Sequence, residues 1–242
     1  MKGIILAGGT GSRLFPLTKV TNKHLLPVGR VPMIYFPIRK LVQAGIEEIL
    51  IVTGVENMGD VVNLLGSGRE FNCRFTYKVQ DEAGGIAQAL ALAENFSGSD
   101  QMVVLLGDNI FSGDITPYIK EFQQRDQGAM VLLKEVPDPG RYGVATVEQG
   151  VVRRIVEKPE LPESNLAVTG IYLYDANVFD YIRQLEPSGR GELEITDVNN
   201  HYLESGNLYS AILTGWWTDA GTFESLAHAN QLLQKQIDGA NR

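Results

Sequence analysis

The chain has 242 residues, 44% of them hydrophobic, and a formal net charge of −8. This length holds one large α/β domain or two small ones with a sizeable core, while the acidic balance argues against a nucleic-acid or anionic-membrane surface, which would need a basic patch. Cys73 is the one cysteine, so no intrachain disulfide can form, and three scattered histidines make no zinc pattern.

In chain order, Ile4 to Ala7 reads as the first buried strand. It opens onto Gly8-Gly9-Thr10-Gly11-Ser12-Arg13-Leu14. Ile34, Ile38, Leu41 and Val42 then mark one helical face, and Ile49 to Thr53 a second strand. A helix over Ile86 to Phe96 and a strand over Met102 to Leu106 follow, then a helix around Ile119 to Phe122 and a strand over Met130 to Leu133. Such alternation predicts a mainly parallel sheet covered by helices on both sides, with ligands bound beyond the carboxyl ends of the strands. Gly8 and Asp108 each follow a strand, so both should lie on that rim. The second half changes character. Tyr142 to Val147 and Val151 to Val156 alternate around Gln149-Gly150, which predicts a hairpin. Val168 to Tyr174 is a strand, Val178 to Leu185 and Thr196 to Glu204 are helices, Asn207 to Leu213 is a strand, and Phe223 to Ile237 is an amphipathic helix. No linker-like composition or repeat divides the chain, so 1–242 is expected to form a single domain. No apolar run approaches membrane-spanning length, and the N-terminus lacks a signal layout.

In the glycine-rich loop, successive backbone N–H groups can point into one concavity, a nest for an anion. Arg13 adds a rigid fork of donors and Lys23 a mobile point charge, a pairing suited to a triphosphate. It is not a Walker loop, which needs Lys then Ser or Thr after its last glycine. It is not the dinucleotide fingerprint either, because Leu14 stands where a glycine is required, and this argues against a dehydrogenase. Pro16 interrupts any helix directly after the loop. Taken alone, such a loop is more often an ordinary turn, and such an Arg and Lys are more often solvated charges.

The longer string from Gly8 to Lys23-His24-Leu25-Leu26-Pro27-Val28 is more specific. It is followed in order by Gly107-Asp108-Asn109, Glu157-Lys158-Pro159, Val168-Thr169-Gly170-Ile171-Tyr172, Arg190-Gly191-Glu192-Leu193-Glu194-Ile195-Thr196 and Trp217-Thr218-Asp219-Ala220-Gly221-Thr222. Along essentially the whole chain this pattern resembles the sugar nucleotidyltransferases, and among them a short form of the glucose-1-phosphate thymidylyltransferases. The resemblance implies a Rossmann-like α/β fold with a sugar-binding extension, the nucleotide-diphospho-sugar transferase type. Residues about 1–135 would be mainly nucleotide-binding and about 136–215 mainly sugar-binding, with the C-terminal helix packing back. It further implies that dTTP and α-D-glucose 1-phosphate give dTDP-glucose and pyrophosphate with Mg²⁺ in the cytoplasm, as a step toward rhamnose and other deoxysugars. The alternatives are an enzyme using UTP or another sugar 1-phosphate, and a non-catalytic regulator that binds nucleotide sugars.

The roles implied by the resemblance fall as follows. Arg13, Lys23, Asp108 and Lys158 would be catalytic. Gly8, Gly9, Thr10, Gly11, Arg13, Lys23, His24, Gln80 and Gly85 would bind the nucleotide, with Gln80 reading the base. Asn109, Tyr142, Gly143, Glu157, Lys158, Val168 and Arg190 would bind the sugar phosphate. Asp108 and Asp219 would hold the metal; their structural alternatives are a turn with Asn109 and a cap on the helix from about Thr222. Pro159 predicts an extended Lys158. Two departures from the family stand out. His24 occupies a place where many relatives carry glutamine, which puts thymine-versus-uracil preference in question. The chain also lacks the extra C-terminal helices of longer relatives, so no regulatory site or subunit contact is expected from them, and self-association is left open.

Overall fold

The computed structural model describes residues 1–240. The first half runs β1 (Lys2–Ala7), β2 (Pro27–Val28), β3 (Val31–Pro32), α1 (Tyr35–Gln43), β4 (Glu48–Gly54), α2 (Met58–Leu65) and β5 (Arg74–Gln80). It continues through α3 (Ile86–Ala91), α4 (Glu94–Ser97), β6 (Met102–Leu106), β7 (Asn109–Phe111), α5 (Thr116–Phe122) and β8 (Ala129–Glu135). The second half adds β9 (Gly143–Glu148), β10 (Val151–Glu157), β11 (Leu166–Tyr174), α6 (Val178–Ile182), α7 (Ile195–Glu204), β12 (Leu208–Ile212), β13 (Trp217–Asp219) and α8 (Phe223–Ala240).

One sheet runs through both halves in the order β10-β9-β11-β6-β1-β4-β5, with β8 and β12 branching from β11. Strands β6, β1, β4 and β5 are mutually parallel. Antiparallel β11 joins them to the later strands. Side chains of a strand point alternately to opposite faces. Accordingly Ile4, Leu6, Leu50, Val52 and Val104 pack into one core layer, while Ile5, Ala7, Ile49, Ile51 and Val103 pack into the other. Burial on both faces is why these strands read as uninterrupted apolar runs. The hairpin is as expected: Gln149 and Gly150 take φ of 51° and 80° between β9 and β10, the positive pair a two-residue turn demands.

Several elements differ from the sequence reading, among them the two- and three-residue strands β2, β3, β7 and β13. Strand β5 lies at the sheet edge with Arg74, Thr76 and Lys78 on its open face, so it presents no apolar run. Helix α2 also went unpredicted. The expected helix over Ile86 to Phe96 is two pieces, α3 and α4. A third cluster, Leu14, Leu26, Val28, Met33, Ile110, Ala220 and Ala229, lies beneath the strand-end rim and receives Leu226 and Leu233 of α8. It anchors the glycine loop, β7 and β13 to a common base.

Candidate active site

The glycine loop leaves β1 with Gly9 and Gly11 at φ of 90° and 63°. The following turn, Ser12–Leu14, sinks Leu14 into the third core cluster and leaves Arg13 exposed. Thr18 closes the loop by donating its hydroxyl to the Gly11 carbonyl at 2.9 Å. Asn22 accepts the His24 N–H at 2.9 Å and donates to the Ala7 carbonyl at 3.3 Å, which carries Lys23 back to the strand ends. At Gly8 a Cβ would stand 2.6 Å from Gln80 Oε1, so the absent side chain leaves room for this placement of Gln80 at the rim. Gln80 Nε2 donates to Gln88 Oε1 at 2.8 Å and to the Gly85 carbonyl at 3.2 Å. Gly8, Gly9, Arg13, Lys23, His24, Gln80, Gly85 and Asp108 all line one cavity of about 290 Å³. Thr10 lines an adjoining groove with Gly9, Lys23 and Gln80; Gly11 shapes the loop from behind.

Asp108 leaves β6 through Gly107. Lys23 Nζ lies 2.6 Å from its Oδ2, and Asn109 Nδ2 donates to its Oδ1 at 3.0 Å. Burial acts to raise this carboxyl's pKa, but the charge of Lys23 and the two hydrogen bonds outweigh it and hold the group well below the usual carboxylate range. His24 is fully enclosed beside it, with Nδ1 2.7 Å from Asn22 Oδ1. Burial first, and Lys23 second, lower its pKa to about 3, so the imidazole is neutral at ordinary pH.

Pairing of β13 with β7 sets Asp219 opposite Asn109. Tyr142 donates its hydroxyl to Asp219 Oδ1 at 2.9 Å, and an Arg141 nitrogen lies 3.4 and 3.3 Å from Oδ1 and Oδ2. Asp219 does not cap α8: Thr222 accepts the Ser225 N–H at 3.2 Å and fills that role. A Cβ at Gly221 would lie 3.3 Å from Asp219 Oδ2, 3.4 Å from Asp108 Oδ2 and 3.2 Å from an Arg13 nitrogen. The missing side chain thus leaves a cradle faced by two carboxylate oxygens and one guanidinium. Among the described residues no group of three or more His, Cys, Asp or Glu closes around a metal. Two carboxylates with open positions fit a divalent cation that takes its remaining ligands from phosphates and water.

A second cavity of about 160 Å³ is lined by Asn109, Tyr142, Gly143, Glu157, Lys158, Val168 and Arg190, together with Asp219. Thr196 donates its hydroxyl to Glu157 Oε2 at 2.6 Å. Arg190 is held at 2.8 Å by both oxygens of Glu194 and at 3.2 Å by Glu157. Asn109 is fully committed, its Oδ1 accepting from the Gly170 N–H at 2.9 Å and Trp217 Nε1 at 2.7 Å. Lys158 departs from its expected extended backbone: its φ is 42°. Its N–H still bonds the Tyr142 carbonyl at 2.9 Å, continuing the β9–β10 ladder for one step before the chain turns. Arg141, Glu192, Glu194, Thr196 and Trp217 also line this cavity. Sequence reasoning passed over them, although Glu192, Glu194, Thr196 and Trp217 lie within family blocks it used and Arg141 adjoins Tyr142, which it named.

Arg13, Asp108, Lys158 and Glu192 line both cavities. The Arg190–Thr196 segment is fixed across their junction by Leu193, which donates to the Gly84 carbonyl at 2.8 Å and accepts from the Ala87 N–H at 3.2 Å. The site can therefore hold two anionic ligands end to end, with cations and carboxylates concentrated where they meet.

A family model described as nucleotidyl transferase matches residues 2–236. The glucose-1-phosphate thymidylyltransferase of Neisseria meningitidis serogroup A is 45% identical over 238 residues, covering 97% of this chain and 83% of that protein. A crystal structure from Bacillus anthracis, assigned as a glucose-1-phosphate thymidylyltransferase and holding sucrose, superposes with a TM-score of 0.93 at 64% identity, covering 96% of this chain and 94% of the other. A UDP-glucose pyrophosphorylase solved with UDP-glucose superposes with a TM-score of 0.85 at 27% identity, covering 97% and 98%.

Proposed function

Because the chain belongs to the nucleotidyl transferase family, we propose that it transfers a thymidylyl group from dTTP to α-D-glucose 1-phosphate, giving dTDP-glucose and pyrophosphate. The observation that carries this reading is the meeting of the two cavities at Arg13, Asp108 and Lys158. A triphosphate in the first cavity and a sugar phosphate in the second would face each other there.

The sugar-phosphate oxygen is the nucleophile. It forms a bond to the α-phosphorus while the bond to the departing pyrophosphate breaks. That oxygen is already anionic at neutral pH, so no general base is needed, and the pairing of His24 with Asn22 rather than with a nucleophile is consistent with this. The obstacle is repulsion between two polyanions, and the means to overcome it are positioning and fixed charge. Arg13 and Lys23 neutralise the triphosphate and the departing pyrophosphate. Lys158, exposed at the junction, draws the sugar phosphate into line. Glu157, oriented by Thr196 and Arg190, accepts from sugar hydroxyls. Gln80 reads the pyrimidine edge, and His24 supports the floor beneath it. Asp108 and Asp219 would hold Mg²⁺, which when bound would supply positive charge at the phosphate oxygens.

The reading extends to 1–242 as one catalytic unit and to the cytoplasm as its location, which the single cysteine supports. No helix of the described residues is long and apolar enough to cross a membrane. Pyrophosphate release across a grid of nucleoside triphosphates and sugar 1-phosphates tests the reading. The expected result is highest kcat/KM with dTTP and glucose 1-phosphate, UTP second and purines poor. Preference for UTP overturns the thymidylyl assignment, and absence of turnover with every pair overturns the enzyme.

A further inference from the structure

Each carboxylate of the proposed metal pair is already met by a cation of the chain itself. Lys23 lies 2.6 Å from Asp108, and Arg141 reaches both oxygens of Asp219 at 3.3 and 3.4 Å. The two contacts differ in kind. Lys23 and Asp108 form a short, largely buried pair, with side chains 14% and 12% exposed. The Arg141 contact is long for a charge-assisted hydrogen bond, which is normally about 2.7–2.9 Å. Its side chain is 36% exposed and lies in the sugar cavity. Arg190 provides the contrast within the same cavity: it is fixed at 2.8 Å by both oxygens of Glu194. Asp219 is the one ion-pair partner of Arg141 among the described residues, and Tyr142, the next residue, independently holds Asp219 through Oδ1. Arg141 is therefore not needed to keep the carboxylate in place.

We propose that Arg141 is a positioning residue that neutralises Asp219 in the ligand-free protein, disfavours a divalent cation there, and is released toward the sugar phosphate once substrates bring their own negative charge. The proposal rests on Asp108 and Asp219 being the metal carboxylates. The charge balance gives the physical reason. With Lys23 on Asp108 and Arg141 on Asp219, a cation approaching the Gly221 cradle meets two neutralised carboxylates, and Arg13 stands 3.2 Å from the same point. Incoming phosphates reverse that balance and give the arginine an alternative partner. A guanidinium held only at 3.3 and 3.4 Å, with its own side chain 36% exposed, can exchange partners at little cost, because so long a contact forgoes most of what a short charge-assisted bond contributes.

Manganese serves as the spectroscopic probe. Titration of nucleotide-free protein with Mn²⁺, with free ion followed by electron paramagnetic resonance, gives the affinity directly and without turnover. Arg141→Gln is expected to bind Mn²⁺ about threefold tighter or more than the parent chain, and the difference should narrow when dTTP is present. The same variant should raise the KM for glucose 1-phosphate more than that for dTTP. Arg141→Lys, whose single ammonium cannot span both oxygens, should shift Mn²⁺ affinity in the same direction by less, and it supplies the test if the Gln variant does not fold. Unchanged or weaker Mn²⁺ binding in the folded variants, with binding lost in Asp219→Asn, overturns the proposal alone. Binding indifferent to Asp219→Asn overturns the metal assignment and the proposal with it.

Discussion

Asp108→Asn separates the structural and chemical roles of one carboxylate. The change keeps the shape and removes the charge that Lys23 meets at 2.6 Å in a pair whose side chains are 14% and 12% exposed. At an effective dielectric of about 20 the Coulomb attraction at that distance is on the order of 6 kcal/mol. Withdrawing two charges from water offsets most of it, but removing one partner of a largely buried pair leaves the other uncompensated and costs about 3–5 kcal/mol. Chemical denaturation should therefore show a loss within that range, leaving the protein folded at room temperature. Turnover should fall on the order of a hundredfold or more, the usual cost of losing electrostatic stabilisation at a transition state. Steady-state pyrophosphate release, measured on the same folded preparation, checks the second effect. A variant that loses stability as expected but turns over like the parent chain at ordinary Mg²⁺ would falsify the metal role and leave Asp108 as the anchor of Lys23 alone.

Glu157→Ala should raise the KM for glucose 1-phosphate by about tenfold, as expected for loss of a charged hydrogen-bonding partner, with little change for dTTP; equal weakening of both substrates in steady-state kinetics would mean that the Thr196–Glu157–Arg190 contacts serve the fold instead. Gly221→Ala places a methyl 3.2–3.4 Å from Arg13, Asp219 and Asp108, a position where such contacts are tight. It should weaken Mn²⁺ binding and lower turnover by about tenfold while melting within a few degrees of the parent chain, and unaltered Mn²⁺ affinity would remove the cradle as the ion's position. His24 governs acid stability. Its pKa falls from 6.5 unfolded to about 3 folded, so below pH 6.5 the unfolded chain gains a proton that the folded chain refuses. Stability is then fully present above pH 6.5 and declines as pH falls toward 3, by up to about 1.4 kcal/mol per pH unit. Asp108, with its lowered pKa, adds a further loss below about pH 4. Denaturation midpoints from pH 7 to 4 should show this slope in the parent chain and a flatter one in His24→Gln; parallel slopes would mean that other groups set it.

The apolar runs of β1, β4, β6 and β8 and the turn chemistry of Gln149-Gly150 determined those four strands and the hairpin, because burial on both faces and positive φ each demand particular residue types locally. The strand-end positions of Gly8 and Asp108, and the order of the family blocks, likewise located the rim and most of the residues that line its cavities. Strand β5 escaped because an edge strand with Arg74, Thr76 and Lys78 facing outward carries no continuous apolar signal. Other features depend on residues far apart in the chain. Asp219 meets Asp108 only because β13 pairs with β7, and Arg141 reaches Asp219 across 78 positions. The positive φ of Lys158, where the chain turns after its hydrogen bond to Tyr142, is not foretold by its neighbour Pro159. Local preferences are written in adjacent residues, whereas charge pairing, competing cations and the space left by Gly221 arise only when separate strand ends are brought to one point.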